Sequence, residues 1–142
     1  MSATFCFPVR VYYEDTDASG VTYHANYLRW LERGRTEWLR ALGLQQEGLR
    51  AALGAVFTVA GLEIEFRRPA RLDDLLEVQT SVAVLRRASI VFEQMLVRTA
   101  DGELLTRARV KVGCVGVADF RPAPLPDALQ RAIAAWRARD RV

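Results

Sequence analysis

Hydrophobic and polar residues alternate along most of this chain and switch to three- and four-residue steps in two places. From Phe5 to Tyr13, Val9, Val11 and Tyr13 alternate with Arg10 and Tyr12, which predicts a strand. From about His24 to Leu42 the step becomes helical. Leu28, Leu31, Arg35, Trp38, Leu39 and Leu42 form one mostly apolar stripe. Gly34 lies inside that helix at a cost of about 1 kcal/mol against alanine, which a close backbone contact would explain. Gly43 is placed to end it. Residues 44–54 are a helical or loop-like connection, and strand patterns follow. Leu62, Ile64 and Phe66 alternate with Glu63, Glu65 and Arg67, and Leu76, Val78, Val82 and Val84 share a face. Ile90 to Thr99 is β-rich, and Leu104 to Cys114 keeps an even-numbered apolar face. Asp101-Gly102 is a tight turn, and Arg86-Arg87 falls at another. Pro126 opens a short helix over about 126–139, with Leu129, Ala132, Ile133 and Trp136 on its apolar side.

The order is therefore one strand, a long helix, four strands and a short helix. Consecutive strands with short turns predict an antiparallel sheet packed by one face on the long helix, an α+β fold. The sequence has no repeat and no linker, so a single domain is expected over 1–142, long enough for a real core.

Composition narrows the function classes. The chain is 51% hydrophobic and 26% charged, ordinary for a globular domain. Its weakly polar run Ala51 to Leu62 is shorter than the roughly 20 residues a membrane span needs, so no span is expected. No secretory leader pattern opens the chain. Cys6 and Cys114 form no CxxC pair, and a reducing, cytoplasmic compartment is the simpler expectation. The net charge is +3, carried by arginine apart from Lys111. The arginines are scattered and no aromatic-basic motif accompanies them, which argues against a nucleic-acid partner and leaves a small phosphorylated ligand.

The chemistry concentrates in RVYYEDTDASGVTYHANY, residues 10–27. A strand ends in acidic residues, a small-residue loop follows, and Asp17 falls just ahead of a helix N-terminus. A carboxylate beside the positive end of a helix dipole suits attack on a polarised carbonyl. Taken alone, Asp17 is equally a loop or capping carboxylate. Glu14, Asp15 and Asp17 with a single histidine make a poor metal cluster, so no metal is expected. Cys114 lies on an apolar strand face and suits core packing rather than nucleophilic work.

In these residues the chain resembles hotdog-fold acyl-CoA thioesterases, in the group of 4-hydroxybenzoyl-CoA thioesterase and the thioesterases associated with the Tol-Pal system. The spacing carries the resemblance: Arg10-Val11, Thr16-Asp17, Gly20-Val21, Tyr23-His24 and Tyr27. Weaker similarity runs through Leu62-Glu63-Ile64, Arg67-Arg68-Pro69-Ala70, Asp73-Asp74, Ala88-Ser89 and Phe92-Glu93-Gln94, to about residue 126. Thr22 departs from the aliphatic residue usual there.

The resemblance implies an antiparallel sheet wrapped around a long central helix, a homodimer or homotetramer with the site at the dimer interface, and hydrolysis of an acyl-CoA thioester without a cofactor. It puts the catalytic carboxylate on Asp17, as nucleophile or general base, and an oxyanion donor on the backbone N–H of His24. The His24 imidazole orients the loop, faces substrate or makes a structural hydrogen bond. Tyr23 and Tyr27 flank the expected site as pocket candidates, ahead of Tyr13, Trp30 and Trp38. Arg67, Arg68, Arg86 and Arg87 are candidates for the CoA phosphates, against the alternative of solvated surface arginines. The rival from another class is a non-catalytic hotdog module that binds acyl-CoA or an acyl carrier protein. A hotdog dehydratase is a weaker rival, because His24 lies at the wrong place for that chemistry.

Overall fold

The computed structural model describes residues 3–139. The span of 1–142 expected for one domain reaches past these residues at both ends. Five strands form one antiparallel sheet in the order β1-β3-β4-β5-β2. They are β1 (Phe5–Arg10), β2 (Ala55–Phe66), β3 (Leu75–Leu85), β4 (Ser89–Arg98) and β5 (Leu104–Gly116). The helices are α1 (His24–Ala41), α2 (Gln46–Leu53) and α3 (Asp127–Arg139).

Even-numbered residues of β3, β4 and β5 build the inner face. Leu76, Val78, Val82, Ile90, Phe92, Leu96, Ala108 and Val110 are all buried there. The tight turn at Asp101-Gly102 is present, with Gly102 at φ +71° donating to the Arg98 carbonyl. Arg86 and Arg87 form the β3–β4 turn, where Arg86 N–H donates to the Ser89 carbonyl. Leu129 and Ile133 seat α3 on the core, and Trp136 meets Trp38 edge-on at 5.7 Å.

Two sequence expectations are corrected. The first strand stops at Arg10 rather than Tyr13. Asp15 turns the chain there by accepting the Tyr12 N–H through Oδ2 at 2.8 Å, and Tyr13–Asp15 becomes a short 3-10 turn. The buried face of α1 is also rotated from the expected stripe. It runs through Tyr27, Trp30, Leu31, Gly34, Trp38 and Leu39, whereas Leu28 is exposed and Arg35 half-buried. The rotation follows from Gly34, which lies against the sheet. A Cβ there would come within 2.6 Å of Val78 Cγ1 and 3.3 Å of Gln94 Nε2. The missing side chain lets α1 approach β3 and β4 closely, as the internal glycine suggested.

Gln94 fixes that contact. It is fully buried, its Nε2 donates to the Leu31 carbonyl and Thr80 Oγ1, each at 2.9 Å, and its Oε1 accepts from Arg35 at 2.9 Å. The helix is therefore pinned to the sheet by polar as well as apolar contacts.

β2 is an edge strand with most of its residues exposed, among them Val59 (52%), Leu62 (40%) and Phe66 (49%). An edge with bare backbone groups and half-exposed apolar side chains is a template for pairing with another chain.

Candidate active site

Residues 15–17 and 21–23 form a miniature hairpin ahead of α1. Thr16 and Thr22 bridge, Asp17 N–H donates to the Val21 carbonyl at 3.0 Å, and Tyr23 N–H donates to the Asp15 carbonyl at 2.9 Å. Gly20 closes the turn at φ +82°, a left-handed conformation that glycine adopts without strain, and donates to the Asp17 carbonyl. This hairpin keeps Asp17 near enough to the head of α1 for its carboxylate to feel the charge of His24.

The carboxylate of Asp17 is exposed, and its Oδ1 accepts both the Ser19 N–H (2.8 Å) and the Ser19 hydroxyl. Among the described residues its Oδ2 accepts no hydrogen bond. One oxygen is thus held and the other is open to a reacting group. The Ser19 hydroxyl, then the Ser19 amide, hold the Asp17 carboxyl below the usual carboxylate range, and the charge of nearby His24 adds to the effect.

His24 is the first residue of α1. Tyr23 caps the helix without a side-chain hydrogen bond, and the Asn26 N–H turns back to the Tyr23 carbonyl. The His24 N–H is one of the amides a helix start leaves without an intrahelical acceptor. Among the described residues it donates to no backbone or side-chain group. The exposed His24 ring packs edge-on against Tyr23 at 4.5 Å. Asp17, Tyr23 and His24 are therefore brought to one corner of the molecule.

Tyr27 is buried behind this corner rather than exposed on it. It is 4% exposed and packs on Trp30 and Phe66, and its hydroxyl accepts the Ala70 N–H at 2.9 Å. Burial pushes its phenol pKa up. It anchors the segment after β2, which in turn accepts the Thr22 N–H on the Ala70 carbonyl and bridges Arg71 to Val21. Trp30 and Trp38 are likewise core residues. Tyr13 is mostly exposed to solvent.

The four arginines divide. Arg67 and Arg68 follow β2 at the same end of the sheet as Asp17, each beside an acidic partner, Glu65 at 3.6 Å and Glu103 at 3.3 Å. Arg86 and Arg87 are at the opposite end. β3 starts beside the site, where Leu75 pairs with Arg10, and runs 11 residues away from it. That separates them from Asp17 by on the order of 30 Å within one chain.

Sequence reasoning passed over Ser19 and Asn26. Ser19 orients the carboxylate, and the Asp-x-Ser spacing of a side-chain-closed turn was the signal for it. Asn26 is buried and its Nδ2 donates to the Asp15 carbonyl at 2.9 Å, tying the loop to α1. A lone asparagine in a first helical turn carries no such signal by itself.

Comparison with known proteins bears on the fold and the class of activity. A family profile described as Thioesterase-like superfamily matches residues 11–133. The acyl-CoA thioesterase YbgC of Haemophilus influenzae is 47% identical over 128 residues, covering 90% of this chain and 93% of that protein. The acyl-CoA thioester hydrolase YbgC of Escherichia coli is 47% identical over 125 residues, covering 88% and 92%. Among solved structures, a probable thioesterase from Bartonella henselae is similar with a TM-score of 0.82 at 37% identity, covering 87% of this chain and 100% of that one.

Proposed function

We propose, from the premise that this chain belongs to the Thioesterase-like superfamily, that it hydrolyses acyl-CoA thioesters to a carboxylic acid and free CoA. Its sheet and long helix are those of the hotdog fold, and it is an enzyme of the thioester hydrolase class. The reading rests on two groups close enough to interact by charge: Asp17, one of whose carboxylate oxygens accepts no hydrogen bond among the described residues, and His24, whose helix-head amide has no acceptor among them.

The thioester carbonyl oxygen accepts from the His24 N–H, where the helix dipole favours negative charge. A fixed donor of this kind lowers the barrier by roughly 3 kcal/mol. Asp17 then either attacks the acyl carbon, giving a mixed anhydride that water opens, or takes a proton from an attacking water. The tetrahedral oxyanion collapses, the C–S bond breaks, and CoA leaves as a thiolate that needs no strong acid. The route uses neither a metal nor a redox cofactor. Tyr23 flanks the acyl carbon from the helix cap.

A homodimer completes the site. Antiparallel pairing of two β2 edges through their backbone groups sets the site end of one protomer beside the far end of the other. The partner's β3–β4 turn then approaches Asp17, so Arg86 and Arg87 serve the CoA phosphates across the interface while Arg67 and Arg68 flank the site within the chain. A homotetramer follows if two such dimers stack, and an acyl carrier protein is the alternative carrier of the acyl group. The unpaired Cys6 and Cys114 fit a reducing, cytoplasmic setting. Among the described residues, no helix is long and apolar enough to cross a membrane.

A panel of acyl-CoAs assayed for free thiol tests the activity. Tight binding without thiol release at any chain length would leave only the binding-module reading. Two further outcomes are expected. Arg86→Ala/Arg87→Ala should raise KM for acyl-CoA about tenfold, and should leave hydrolysis of the matching acyl-N-acetylcysteamine, which has no phosphates, unchanged. Ser19→Ala removes the largest influence holding the Asp17 carboxyl low. Ionised Asp17 is the working form, so the acid limb of the kcat/KM profile should move to higher pH in that variant, with the neutral-pH plateau retained.

A further inference from the structure

His24, Leu28, Leu31 and Arg35 follow one another at steps of four, three and four, and so share one face of α1. That face borders a groove of about 480 Å³ between α1 and the β2–β5 side, walled by Leu28, Leu31, Arg35, Val59, Leu62 and Val110. Arg29, Glu32 and Arg33 also line it but are exposed, and Arg35 is the half-buried arginine among them. Arg35 NH1 donates to Gln94 Oε1, and the same amide's Nε2 sits on the Leu31 carbonyl. The guanidinium therefore lies level with Leu31, seven residues from His24, or about 10 Å from the helix head.

Arg35 forms no ion pair among the described residues. Glu32 also borders the groove, but its carboxylate accepts the Thr36 hydroxyl at 3.0 Å. A guanidinium presents five donors, and the neutral Gln94 amide takes one of them. Burial lowers the pKa of Arg35, opposed by the charge of Glu32, and the group stays cationic. A half-buried cation with spare donors in an apolar channel favours a planar anion that can accept two hydrogen bonds. Beyond Arg35 a smaller cavity of about 120 Å³ is walled by Trp38, Leu39, Phe92, Val112 and Leu129, and Arg35 borders both spaces. A chain lying along the groove thus meets the guanidinium before it reaches the smaller cavity.

We propose that Arg35 reads the distal end of the acyl group and selects acyl-CoAs ending in a carboxylate over those ending in a methyl. This specificity rests on the reading of the chain as an acyl-CoA thioesterase. The reacting carbon sits at His24 and Asp17, the methylenes lie along Leu28 and Leu31 against Val59 and Leu62, and the terminal carboxylate bridges the free guanidinium donors.

Suberoyl-CoA and octanoyl-CoA have equal length and differ in that terminus, so the ratio of their kcat/KM values reports it. The ratio is taken within one enzyme sample, which cancels any loss of folded protein. The unaltered enzyme should favour suberoyl-CoA at least about tenfold. Arg35→Met should bring the ratio to one or below, and Arg35→Lys should keep part of the preference. A ratio at or below one in the unaltered enzyme, or a preference that survives Arg35→Met, overturns the assignment and leaves the thioesterase intact. Thiol release from neither substrate, nor from any other acyl-CoA, overturns both.

Discussion

Asp17→Asn is expected to lower kcat for acyl-CoA hydrolysis by about a thousandfold, the scale set by losing a positioned base or nucleophile. The fold should be untouched. The substituted side chain would keep an oxygen to accept the Ser19 N–H, so the turn that Asp17 now closes can survive. The side chain is exposed and its loss leaves no cavity. What disappears is the free oxygen, because an amide nitrogen neither attacks a carbonyl nor takes a proton at neutral pH. KM should move little. Thermal melting alongside single-turnover kinetics checks both halves of the expectation. A single turnover of the unaltered enzyme in heavy-oxygen water then separates the two roles: label recovered in the Asp17 side chain marks the covalent route, and label in the product acid alone fits activation of water. Normal kcat in the Asp17→Asn variant would remove Asp17 from the mechanism.

How much of this was legible beforehand depended on whether the signal was local. The strands β3 to β5 announced themselves because their even-numbered residues face one core, and Gly102 and Gly43 stand where the backbone turns left-handed. The hairpin from Asp15 to Tyr23 is also local, so the place of Asp17 in a turn just ahead of α1 could be read from spacing. The rotation of α1 was not local. Leu28 and Arg35 fit the apolar step as well as Tyr27 and Gly34 do, and only the approach of Val78, Thr80 and Gln94 from distant strands decides between them. Tyr27 illustrates the same limit. Its position beside the motif suggested a pocket, but its hydroxyl is taken by the amide of Ala70, 43 residues away. For Arg86 and Arg87, sequence supplied the chemistry and the topology supplied the distance, and a role at the site now requires a second protomer. The exposed apolar residues of β2 were visible as an alternating strand, but that they would face outward on an unpaired edge depended on the strand order of the whole sheet.

Gln94 is where the fold and the site meet, and Gln94→Leu should be the most damaging core substitution of similar size. The leucine fills much of the volume but makes no hydrogen bond. Its arrival leaves the Arg35 guanidinium without its side-chain acceptor and Thr80 Oγ1 without the amide donor, and it removes a donor from the Leu31 carbonyl. A buried polar group deprived of its partner costs about 1–3 kcal/mol, more when charged, so a total near 3 kcal/mol and a fall in Tm of about 10 °C are expected. Unfolding followed by circular dichroism measures this directly. The double variant Thr80→Val/Gln94→Leu separates lost partners from altered packing. If the penalty comes from an orphaned hydroxyl, the second change should recover part of it, because removing both partners costs less than removing one. If the double variant is less stable by the sum of the two single effects, Thr80 and Gln94 are not coupled and the loss comes from the bonds Gln94 makes to α1. The Gln94→Leu variant should also loosen the position of Arg35 in its groove, so its preference between carboxylate- and methyl-ended acyl groups should weaken even at temperatures where the protein is fully folded.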